Sequence, residues 1–183
     1  MKNIIIRILS VIVIILLLIA FSSSYSFLNI ANLDYVVAIG FDTSTNNNYH
    51  ISFQFAKVSS VSESGKTEQT PTIINTVEAS SLNNAINLMN TYIGKKLNLS
   101  HCKVIVFSEE IANNGIASQI YSLINDTQIR PSANIIVSKC SAQYYIENSK
   151  PIFENLITKY YEVFPSSSDY TGYTADTTIG DFF

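Results

Sequence analysis

The chain offers few side chains that could do chemistry: two histidines, two cysteines and a small number of neighbouring charges in 183 residues. His101 beside Cys102 is where a metal pair could start. Neighbouring residues of a strand face opposite ways, however, and no second pair stands at ligand spacing, so no metal site is expected. Cys102 and Cys140 fall in or beside predicted strands. They either bond to each other, if those strands are neighbours in an exported protein, or stay free as small buried hydrophobes, the reading preferred here. Glu109-Glu110 has the make-up of an acid–base pair. Directly after Ser108, though, both carboxylates sit at a predicted helix start, which favours negative charge without any reaction.

The remaining candidates are structural in the same way. His50 lies on the polar side of an alternating segment and faces solvent. Arg130, just before Pro131, stands four residues after Asp126 and is expected to pair with it. Tyr144, Tyr145, Tyr160 and Tyr161 recur at helical spacing, as packing residues do. No G-x-S-x-G, H-E-x-x-H or glycine-rich phosphate loop occurs. No enzymatic reaction, cofactor or metal is expected, and the scarcity of convergent polar groups argues against a direct small-molecule ligand.

The elements that would position these residues read as α+β, a mixed sheet flanked by helices and preceded by one N-terminal hydrophobic helix. Tyr35–Phe41 is an almost unbroken apolar run, suited to a central strand. After a polar turn, Tyr49, Ile51, Phe53 and Phe55 alternate with His50, Ser52 and Gln54, completing a hairpin. Ser59–Pro71 reads as a mobile polar loop and Thr72–Ala79 as a third strand. Leu82, Ala85, Ile86, Met89, Tyr92 and Ile93 follow helical spacing, with Ser80 or Ser81 as cap and Gly94 as stop. Val104–Phe107 is a buried strand, Ser108 caps the next turn, and Asn113-Asn114-Gly115 ends it before Ile116 opens another helix. Ala133–Cys140 reads as a strand, Ser141–Asn148 as a short helix, and Pro151–Phe164 as a helix with proline in its first turn. From Pro165 to Thr178 the chain is loop-like. Ile179–Phe183 reads as the start of a further, truncated element.

The first 25 residues form a separate segment. Lys2 and Arg7 precede an apolar run, Ile8–Phe21, broken only by Ser10. Counted from Ile8 it has signal-peptide length. Counted from Ile4, about 18 residues reach roughly 27 Å, just short of a hydrocarbon core of about 30 Å. The leading positive charges put the N-terminus in the cytoplasm and the rest outside it. Ala20-Phe21-Ser22 is an acceptable cleavage site, so an anchor and a cleaved signal both stay open. Removing Lys2 and Arg7 from the 11 basic residues leaves nine against 14 acidic, a net charge near −5. That balance excludes nucleic acid and gives no electrostatic pull toward anionic lipid.

Several segments resemble the N-terminal domain of the spore germination receptor C subunits, the GerAC-like lipoprotein family. The likeness begins at Ile30–Leu33 and runs through Ala38–Asp42, similar to the family's opening strand with its terminal Gly-x-Asp. It continues at the helix start Ser81–Ile86. The most specific block is Ser100–Ala112 with Gly115-Ile116, similar to the family's S-H-x-x-V-I-V-I-G-E-E-x-A-x-x-G-I segment. Ile129-Arg130, Ser141-Ala142 and Thr178–Phe182 match further positions. The resemblance implies domains at 1–25 (signal or anchor), 28–164 (the receptor-subunit α+β domain) and 165–183 (linker and truncated element). It also implies a noncatalytic, membrane-associated subunit on the outer face of the spore inner membrane, working with integral A and B subunits. Asp42, His101, Glu109, Glu110, Gly115 and Arg130 carry over as motif positions with structural roles. Two departures stand out. Members carry a lipid-modified cysteine near the position of Tyr25, where this chain has Ser22-Ser23-Ser24-Tyr25-Ser26, and they are about twice as long. The apolar helix is then the available tether, which favours an uncleaved anchor. An exported scaffold or adhesion module without a germination role is the alternative.

Overall fold

A computed structural model of the protein describes residues 2–22, 33–56, 72–151, 154 and 156–182. The chain divides into two compact units, residues 1–32 and 33–183. The first contains helix α1, Lys2–Ser22. Its described side chains, Ile4 to Leu17, are exposed. The helix is 21 residues long, yet among the described residues no helix is long and apolar enough to cross a membrane.

The described strands of the second unit form a six-stranded mixed sheet. β1 (Leu33–Thr43) lies at its centre, antiparallel to β2 (Tyr49–Ala56), which is antiparallel to β3 (Thr72–Ala79). Asn46 and Asn47, at φ 56° and 60°, make the β1–β2 turn, a primed geometry whose twist suits a tight hairpin. On its other side β1 pairs in parallel, first with the short β4 (Lys96–Asn98) and then with β5 (Val104–Ser108). β6 (Asn134–Ser138) extends the parallel part beyond β5.

Helices cover both faces. α2 (Leu82–Ile93), α3 (Glu109–Asn114) and α4 (Ala117–Ile124) bury Leu82, Met89, Ile111 and Leu123 against Ile39, Phe53, Ile105 and Phe107. α5 (Ala142–Asn148) and α6 (Ile157–Val163) bury Ala142, Ile146, Ile157 and Tyr161 against Val37, Ala38, Val104 and Val106. Being covered twice explains why β1 reads as an unbroken apolar run. A bulge at Val37, between the pairs Val36↔Phe55 and Ala38↔Gln54, shifts the alternation there, so Val37 and Ala38 both join the second core. That core also holds a buried polar link, Tyr161 Oη donating to Gln54 Oε1 at 3.0 Å.

Most expected elements form where their local signals stand. Ser81 Oγ accepts from Asn84 N at 3.3 Å to start α2. Gly94, left-handed at φ 66°, ends it. Others differ. The helix expected from Pro151 begins only at Ile157, because Leu156 is extended (φ −111°, ψ 124°) and no side chain caps the start. It passes into a 3₁₀ turn, Phe164–Asp169. β4 was not expected. The Thr177–Gly180 stretch returns to the sheet, with Ile135 N donating to Thr177 O at 2.8 Å and Ile179 N to Ala133 O at 2.9 Å, and Ile179 fully buried. The expected loop Ser59–Pro71 and the leader exit at 23–32 lie outside the described residues.

Candidate functional site

Because β1, β5 and β6 are parallel, their C-terminal ends meet on one rim of the sheet. The chain leaves β5 into α3 on the first face and leaves β6 into α5 on the second, so a crevice opens between them. It encloses about 520 Å³. Asp42 and Thr43 enter it from β1, Glu109 and Glu110 from after β5, and Lys139 and Cys140 from after β6. His50, cross-strand neighbour of Asp42, adds an exposed imidazole.

Several of these groups fasten one element to another. The buried Asp42 carboxylate accepts from Ala142 N at 2.6 Å through Oδ1 and from Gln143 N at 2.9 Å through Oδ2. Ser141 Oγ accepts from Tyr144 N at 3.1 Å. The first three N–H groups of α5, which no helix can satisfy internally, are thereby occupied, two of them by a side chain of β1. Glu110 Oε2 accepts from Thr43 Oγ1 at 2.6 Å, and Ser108 Oγ accepts from Ile111 N at 3.4 Å. Together these bonds hold the starts of α3 and α5 to the ends of β1 and β5. Cys140 Sγ lies 3.0 Å from Ser138 Oγ.

Of the motif positions, the fold brings Asp42, Glu109 and Glu110 together and leaves the other three apart. His101 is exposed in the turn that carries the chain from β4 to β5, its ring 5.0 Å from that of Tyr35 and nearly perpendicular to it. Gly115 follows α3 at φ 93°, a conformation that favours glycine. Arg130 is exposed, and the expected pair with Asp126 does not form: Asp126 Oδ1 accepts from Gln128 N at 2.8 Å instead. α4 ends at Ile124, so helical spacing has no meaning between those residues. His50, Lys139, Cys140, Ser141 and Gln143 were not foreseen as cleft residues. Only Ser141 carried a local signal, as the first residue of an expected helix.

Both cysteines are free, Cys102 buried and Cys140 exposed. They stand at opposite ends of the parallel strands, so the disulfide alternative is excluded. Burial pushes the Cys102 thiol up to about 12, pushes Tyr145 up to about 12 and raises Tyr161 further. In the unfolded chain such groups lose protons from about pH 8.5 (Cys) and about pH 10 (Tyr), while the folded chain keeps them. The unfolded state then binds fewer protons, so stability falls as pH rises from about 9 toward 12. Denaturant titrations across that range should show the decline. Near neutral pH a thiol reagent should modify Cys140 in the folded protein and Cys102 only after unfolding.

The block Ser100–Ile116 thus builds the turn before β5, the strand itself, the Ser108 cap, the two carboxylates and the Gly115 stop. A family model described as the spore germination protein N-terminal domain matches residues 27–183. No curated protein and no solved structure matches the chain. With the whole of the second unit inside that match, the chain belongs to the family of the spore germination protein N-terminal domain.

Proposed function

We propose that the protein is a noncatalytic, membrane-associated subunit of a nutrient germinant receptor, working with integral-membrane A and B subunits in spore germination. The observation that carries this reading is the family match over residues 27–183. The cleft supports it in a second way: Asp42 and Glu110 are engaged in holding α5 and β1, which suits a rigid module that assembles with other proteins. The tether in this reading is the N-terminal segment. Lys2 and Arg7 precede its apolar run and would keep the N-terminus cytoplasmic, leaving the domain on the outer face of the spore inner membrane. Spores lacking the gene should germinate poorly with particular nutrients, and the tagged protein should co-purify with two integral-membrane subunits. Normal germination across nutrients would overturn the receptor reading. Cell fractionation with N-terminal sequencing tests the tether separately: a soluble form beginning near Ser23 would remove it.

A further inference from the structure

β3 closes one side of the sheet. Its inner edge pairs with β2 without interruption, from Thr72↔Ala56 to Ala79↔Tyr49, and among the described residues no strand pairs with its outer edge. Eight residues of strand at about 3.3 Å each present a row of unpaired backbone groups roughly 26 Å long. Proteins normally blunt such an edge with lysine, proline or a bulge. Thr-Ile-Ile-Asn-Thr-Val-Glu-Ala has none of these. Its single charge, Glu78, stands near one end and accepts from Asn48 Nδ2 at 3.1 Å. The far edge of the sheet is treated differently, since the Thr177–Ile179 stretch lies along β6 there.

From this edge we infer that β3 is where a second copy of the chain docks, adding its own β3 antiparallel so that one sheet runs through both copies. The side chains fit that occupant. Ile73, Asn75 and Val77 stand opposite Phe55, Phe53 and Ile51 and so point to the α2 face, where Ile73 is 47% exposed. Two identical antiparallel strands keep like faces together only when their pairing centres on a residue. Centred on Asn75, the pairing sets Ile73 of each copy against Val77 of the other. The two Asn75 amides meet in the middle, and Thr72 faces Glu78, so no like charges oppose each other.

α2 carries a second, independent sign. Asn90 turns toward β4, its Oδ1 accepting from Leu97 N at 2.7 Å. Two positions along a helix is a rotation of about 200°, so Leu88 and Tyr92 lie on the side away from β4, above the β3 flank. They are 45% and 77% exposed. The same two-fold axis brings the two α2 helices together on those residues. A strand layer about 26 Å long and a helix layer about 18 Å long, each about 10 Å thick, bury roughly 440 Å² per copy, a little below what a stable specific interface needs. The dimer is therefore weak and depends on concentration.

The test uses the full chain in detergent, with Cys140→Ser to leave only the buried Cys102. A short bismaleimide should join two copies of an Asn75→Cys variant, because those Cβ atoms lie about 5 Å apart across the axis. Thr72→Cys stands opposite Glu78 of the second copy, six residues or about 20 Å from its own counterpart, and should cross-link poorly. Ile73→Lys should return the protein to monomer in sedimentation equilibrium with its melting temperature unchanged. Equal cross-linking at 75 and 72 would overturn the proposal. So would a monomer persisting to a concentration on the order of 100 μM, which would leave the edge to an extended strand of a different protein.

Discussion

Asp42→Ala is expected to lower the melting temperature of the second unit by about 6–12 °C and to expose the first turn of α5 to amide exchange. The carboxylate is buried and accepts two backbone N–H groups at 2.6 and 2.9 Å. Hydrogen bonds to a charged group contribute about 1.5–3 kcal/mol each, and a buried donor left without a partner costs about 1–3 kcal/mol. Since water can reach part of the opened site, a net loss of about 3 kcal/mol is the reasonable expectation. Asp42→Asn is the informative control. It keeps one carbonyl acceptor but turns an NH₂ toward the second N–H, so it should fall between the wild type and the alanine variant. An unchanged melting temperature, with Ala142 and Gln143 amides still slow to exchange, would show that α5 is held elsewhere.

What was legible in the sequence follows from how far apart the interacting residues stand. Ser81, Ser108 and Ser141 each act on an N–H three residues away, and Gly94 ends its own helix, so a short window contains both cause and effect. Asp42 was visible as the polar end of a strand, but the groups it binds lie 100 and 101 residues later. No periodicity could show that. The same distance concealed the cleft, because His50, Glu109 and Lys139 become neighbours only once β1, β5 and β6 line up in parallel. The Val37 bulge was hidden for a different reason: a strand buried on both faces has no alternation for an extra residue to disturb. β4 is three residues long, between a helix stop and a turn, too short for any pattern. The Asp126–Arg130 pair failed because i, i+4 spacing predicts contact only inside a helix, and α4 had already ended.

Gly40→Val should destabilise the second unit at least as strongly as the loss of Asp42, and through the same joint. Gly40 lies in β1 two residues before Asp42, on the α5 face. A Cβ there would come within 2.9 Å of Ile146 Cδ1, 3.1 Å of Ala142 Cβ and 3.4 Å of the Ala142 carbonyl carbon. The tip of Ile146 can turn aside, so Gly40→Ala should be the milder variant. Ala142 cannot yield without moving the first turn of α5. Ala142 is also the residue whose N–H donates to Asp42, so lifting the helix to admit a valine stretches that bond as well. Overpacking alone costs about 1–3 kcal/mol; with the bond to Asp42 included, a loss of about 3 kcal/mol or more is expected. The two substitutions should not add. Once α5 has been lifted by valine at position 40, removing the Asp42 carboxylate has less left to break, so a double-mutant cycle in denaturant should give a coupling of about 1 kcal/mol or more. Strict additivity would mean that the glycine contact and the carboxylate hold α5 independently.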